Sequence, residues 1–155
     1  MQSKYSWLGE WTIKIFDSST KELLHEDYIK NTIMNVGLDE LCRPLYGGTP
    51  DLEIKYLAVG TSSATVAVTQ TALGAEVFRT PYVSRTTTSQ EVNTVYTVLD
   101  SEAQVQIEEI GVFAGTAASG TSDTGIMLSR ILWSYDKTPT NIEVQFQRKD
   151  TIQRG

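Results

Sequence analysis

Ile142-Glu143-Val144-Gln145-Phe146-Gln147-Arg148 alternates apolar and polar side chains from Ile142 to Gln147. Successive side chains of an extended chain point to opposite faces, so Ile142, Val144 and Phe146 share one face while Glu143, Gln145 and Gln147 share the other. A helix would spread the same three apolar residues around its circumference. The stretch therefore predicts a strand with one buried and one wet face, the signature of an antiparallel sheet.

The same period recurs on working outward. Glu10-Trp11-Thr12-Ile13-Lys14-Ile15-Phe16-Asp17 sets Trp11, Ile13 and Ile15 against Thr12, Lys14 and Phe16. A polar turn at 18–21 and a second run at 23–29 follow, so residues 10–30 are predicted to form a β-hairpin. Further strands are expected at 54–60, 76–85, 92–99, 103–110 and 126–135. Pro81 cannot donate to a ladder, so its strand should be an edge or should break there. Residues 61–72 read as a small, uncharged connection. The glycine-rich 115–125 lacks the Lys-Ser/Thr ending of a phosphate-binding loop and precedes a strand, so a flexible hairpin loop is expected.

One helix is predicted, over 31–46. Ile33, Met34, Leu38, Leu41, Cys42 and Leu45 recur at helical spacing, with Asn31 or Thr32 as the capping residue. Pro44 should end or distort the last turn, and Gly47-Gly48 marks the stop. Gly37 costs about 1 kcal/mol against alanine, so it should mark close packing or a break between two short helices. Cys42 falls on the apolar face and reads as a small buried thiol.

About eight strands at short spacing with one early helix predict a mainly β fold. The expected architecture is an antiparallel β-sandwich or jelly-roll-like domain with one inserted short helix and an N-terminal β-hairpin. There is no alternation of strand and helix that would build a parallel sheet. The predicted division is an arm at 1–30, the sandwich at 31–150 and a tail at 151–155.

Composition narrows the function. The chain has 155 residues and a net charge of −6, which disfavours a nucleic-acid binder. One cysteine can make neither an internal disulfide nor a zinc site. No apolar run approaches ~20 residues, so no transmembrane helix is expected. Residues 1–6 lack the apolar stretch of a signal peptide, and folding in a reducing cytoplasm is expected.

The search for chemistry yields little. The single histidine, His25, stands beside Glu26 and Asp27 without a nucleophile motif and reads as an exposed strand residue. Glu108 and Glu109 are neighbours on a strand and point to opposite faces, so they cannot work as an acid–base pair. Glu109 follows the inward-facing Ile107 and should need an arginine partner, with Arg79, Arg85 and Arg130 as candidates. Trp7, Trp11 and Trp133 with seven tyrosines could form a sugar platform, although core packing or a protein contact is the plainer reading. No catalytic residue, cofactor or metal site is expected.

Six segments in order carry a resemblance. Asn31-Thr32-Ile33-Met34-Asn35-Val36-Gly37-Leu38-Asp39-Glu40-Leu41 is followed by Tyr56-Leu57-Ala58-Val59-Gly60-Thr61, then Leu73-Gly74-Ala75-Glu76-Val77-Phe78-Arg79. Ile107-Glu108-Glu109-Ile110-Gly111-Val112-Phe113 and Met127-Leu128-Ser129-Arg130 come next, and Lys137-Thr138 leads on to Phe146. Together they resemble small tailed-bacteriophage structural proteins over residues 31–148. The resemblance implies a non-enzymatic virion component of the tail, collar, baseplate or fibre-attachment region. Glu76, Arg79, Glu109 and Arg130 would then be structural ion-pair residues. Trp7 and Trp11 of the N-terminal hairpin, with Arg148 and Lys149 of the basic C-terminal stretch, are the expected interface residues.

The expected partners are other phage virion proteins and copies of the same chain, with no nucleic acid and no membrane, in a virion assembled in the host cytoplasm. The absence of a long shaft after the last matched strand favours an adaptor or ring component. The alternatives are a capsid decoration or head-fibre protein, or a carbohydrate- or receptor-binding module for a host glycan.

Overall fold

Alternation at period two resolves into nine strands among the described residues, which the computed structural model gives as 5–154. The outermost parts of the expected arm and tail, 1–4 and 155, lie outside the described residues. The elements are β1 (Tyr5–Asp17), β2 (Leu23–Asn31), α1 (Asn35–Cys42), β3 (Ile54–Gly60), β4 (Glu76–Pro81), β5 (Ser84–Thr87), β6 (Glu91–Val98), β7 (Gln106–Ala114), β8 (Ile126–Asp136) and β9 (Ile142–Arg154). They build two antiparallel sheets, one ordered β2-β1-β9-β6-β5 and the other β4-β3-β7-β8. Hairpins fall alternately in the two sheets: β1–β2, β3–β4, β5–β6, β7–β8. β9 then returns to the middle of the first sheet, between β1 and β6.

The core follows the alternation. Trp11, Ile13 and Ile15 of β1, Tyr96 and Val98 of β6, and Val144 and Phe146 of β9 are fully buried against Leu57, Val59, Ile107, Ile110 and Val112 of the opposite sheet. Phe146 takes Trp11 and Trp133 edge-on, with centroids 6.3 and 5.7 Å away. Each fully buried aliphatic or phenylalanine side chain contributes roughly 1.5–3 kcal/mol. A second cluster, Met34, Ala58, Leu73, Phe113, Ala118 and Met127, covers the outer face of the four-stranded sheet.

Several boundaries differ from expectation. The N-terminal hairpin is present, but it is no arm: β1 pairs with β9 from Tyr5↔Arg154 to Asp17↔Ile142. Residues 151–154 are likewise the end of β9 rather than a tail. The predicted strand at 76–85 is two strands, because the chain leaves one sheet at Pro81 and enters the other at Ser84. β7 begins only at Gln106, after Ala103 adopts a left-handed φ of 46°. The loop at 115–125 is not loose, since Arg79 Nη1 donates to the carbonyls of Ser119 and Thr124 at 3.1 and 2.8 Å.

The helix is shorter than predicted. Asn31 ends β2, Ile33 bridges to Ser129 of β8, and α1 starts after Met34 with no side-chain cap. From Arg43 the chain tightens into a 3₁₀ turn holding Pro44, which stops at left-handed Gly47. The face turned to β8 carries Gly37, where an added Cβ would lie 3.0 Å from Leu128 Cδ2. Cys42, expected to be buried, is exposed, as are Leu38, Leu41 and Leu45.

Candidate functional site

The outer face of the four-stranded sheet gathers most of the charged residues singled out in the sequence. A bulge lies between Ile107 and Glu109, so Ile107, Ile110 and Val112 face the core while Glu109, Gly111 and Phe113 face outward. Glu109 is nevertheless fully buried, because residues 61–75 fold over it. Its Oε2 accepts from Arg130 Nε at 2.7 Å and from Gly74 N at 2.9 Å. Its Oε1 accepts from Ala75 N at 2.7 Å and Ser62 N at 3.4 Å. Arg130 spends its remaining donors on the same loop, reaching Ala64 O at 2.8 Å and Ser62 O at 3.4 Å. The pair thus ties both ends of the loop to β7 and β8.

Glu76 and Arg79 form a second knot on this face. They lie three apart on β4, which would normally turn them to opposite sides. A bulge at Val77 corrects this, since Gly60 pairs with Glu76 and Val59 with Phe78. Arg79 meets Glu76 through two parallel bonds of 2.9 and 2.7 Å, a geometry suited to its planar fork. The guanidinium also lies 4.1 Å from the Phe113 ring centroid, and it holds the 115–125 loop as described. The structure therefore brings together Glu76 with Arg79 and Glu109 with Arg130, while Arg85 stacks on the Tyr82 ring at 4.0 Å and bonds Ile54 O.

The expected interface residues divide. Trp11 and Arg148 are fully buried, so neither reaches a partner. Arg148 sits at an even position of β9, the face that Val144 and Phe146 turn inward. It forks onto Asp150 at 2.8 and 2.7 Å and donates to Ser129 Oγ at 2.5 Å. Trp7 Nε1 donates to the same carboxylate at 2.9 Å. Lys149, on the outer face, keeps a half-exposed ammonium 3.1 Å from Glu10. The Tyr28 hydroxyl, ahead of Lys149, holds the Glu10 carboxyl below its ordinary range.

The sequence reading missed Asp150, Ser129 and Lys137. Lys137 is buried and donates to the carbonyls of Leu99 and Glu102, both at 2.6 Å, and burial pushes its ammonium below the ordinary lysine value. Asp150 had a signal, since it continues the inward positions 142, 144, 146 and 148.

No sugar platform is formed by the three tryptophans: Trp11 and Trp133 are buried, and Trp133 stacks on Tyr135 and donates to Asp27. His25 stays exposed, 2.9 Å from Asp27 Oδ1. One cavity of about 600 Å³ opens between the sheets, walled by Trp7, Leu41, Leu52, Ile54, Val92 and Ile152. Asp150 borders it, but its oxygens already accept from Trp7 and Arg148. Among the described residues, no group of three or more His, Cys, Asp or Glu is placed to hold a metal ion, and no helix is long and apolar enough to cross a membrane.

Chemically, these carboxylates are matched to guanidinium groups and backbone amides, an arrangement that fastens loops to strands. No family model, no curated protein and no solved structure matches this chain.

Proposed function

We propose that the chain is a non-enzymatic structural subunit of a tailed-phage virion, packing with copies of itself and with other virion proteins in the tail, collar or baseplate region. One observation carries this reading: four of the segments behind the resemblance converge on the outer face of the four-stranded sheet. Gly60, Gly74, Glu76, Arg79, Glu109 and Arg130 come from four of those segments, and together they clamp two loops. A motif set spent on fastening loops suits a particle component whose loops must keep one shape against neighbours.

The test is light scattering on the purified chain, with imaging of particles made with and without it. A closed symmetric assembly, or incorporation into the tail region, is expected. A monomer that joins no virion protein and occupies no position in the particle overturns the proposal.

A further inference from the structure

A sandwich with open sheets has four edges, and each exposes backbone N–H and C=O groups that invite another strand. Three of these are blunted. β4 carries a bulge at Val77 and ends in Pro81. β5 has four residues. β8 is capped where Met34 N donates to Leu128 O and Ile33 bridges to Ser129. β2 is nine residues long, pairs among the described residues with β1 alone, contains no proline, and has its irregularity at the hairpin end, at Leu24. From His25 to Asn31 its register is regular.

We propose that the free edge of β2 is the contact through which two copies of this chain pair, antiparallel, across a two-fold axis. The occupant follows from charge. A two-fold axis perpendicular to the sheet keeps each face on its own side, so only residues of equal parity can meet. Centring the axis on Tyr28 sets the two tyrosines opposite one another and places Glu26 of each copy opposite Lys30 of the other. Glu26, Tyr28 and Lys30 are all exposed on the outer face, with Tyr28 at 58%. Shifting the axis to Asp27 opposes two carboxylates, and shifting it to Ile29 leaves Glu26 and Lys30 without opposite charges. One register is thus favoured over its neighbours. The result is a continuous ten-stranded sheet with an isologous contact. This names the surface for self-contact in the virion-subunit reading, and rests on that reading only for its biological setting.

Sedimentation of the full chain should show a concentration-dependent dimer. Glu26→Lys or Lys30→Glu alone opposes like charges twice per dimer and should weaken pairing about tenfold. The double variant Glu26→Lys/Lys30→Glu restores opposite charges across the contact and should recover part of the loss, since each new side chain also faces a like charge on β1, Lys14 or Glu10. In a Cys42→Ser background, Tyr28→Cys should cross-link to a dimer on mild oxidation. Thermal unfolding of each variant confirms that the fold is retained. A wild-type chain that stays monomeric, or an oligomer indifferent to all of these changes, overturns the β2 contact. Either result leaves the virion reading intact if the chain is found in particles, whereas a β2 dimer absent from every particle defeats that reading alone.

Discussion

Glu109 and Arg130 illustrate how strongly a buried charge depends on its partner. Both side chains are fully shielded, so removing one leaves the other without compensation in a poorly polarisable surrounding. Glu109→Gln or Arg130→Met should each cost about 3–5 kcal/mol in urea unfolding. The double variant should cost less than the sum, with a coupling of about 1–3 kcal/mol, because no lone charge remains. Tyr96 depends on burial in another way. Burial pushes its phenol well above the ordinary value of 10.0, with Arg148 pulling more weakly in the opposite direction. A raised folded value means that its contribution is fully present below pH 10 and is lost as pH climbs beyond it, since the unfolded chain then releases a proton that the folded chain retains. Stability measured by denaturant midpoint should therefore fall above pH 10, and Tyr96→Phe should flatten that fall.

At the scale of elements, glycines decide where loops may approach strands. A Cβ at Gly60 would lie 2.5 Å from the Ala75 carbonyl oxygen and closer still to Glu109, with backbone on one side that cannot swing away. Gly60→Ala should cost about 1–3 kcal/mol or more by forcing the loop off β3. Gly120 meets nothing within 4 Å, and Gly120→Ala should stay within about 0.5 kcal/mol in the same unfolding assay. The 3₁₀ turn offers a matching contrast: Leu45 is 86% exposed, so Leu45→Ser should also be nearly neutral, where a buried leucine would lose about 2–5 kcal/mol on truncation. That contrast shows what the sequence could and could not reveal. Period two identified the strands because one face of each is covered by the other sheet. Helical spacing found α1 but not its buried side, because Gly37 and Glu40 are its buried residues while Leu38 and Leu41 are exposed. Glu109 could be matched with an arginine from its burial, yet the bulge that turns it outward is invisible in composition. Arg148 was misplaced because its charge was read ahead of its parity.

The whole molecule is closed by its most distant strands. β1 contributes Trp11, Ile13 and Ile15 to the core, and its partner β9 lies at the other end of the chain. Neither strand can be buried until that loop is closed, and every hairpin formed earlier leaves one face uncovered. Most contacts join distant parts of the chain, so the entropy of ordering the chain falls mostly before the gain from packing. Refolding should accordingly occupy the millisecond-to-second range of sandwiches rather than the microseconds of helical bundles. Ile13→Val deletes one buried methylene and should destabilise by about 0.5–1.5 kcal/mol. If β1 docks onto β9 after the rate-limiting step, stopped-flow measurements will place that loss in faster unfolding with refolding unchanged. A matching loss in the refolding rate would instead put the pairing of the two terminal strands inside the nucleus, making closure of the first sheet the event on which the second one waits.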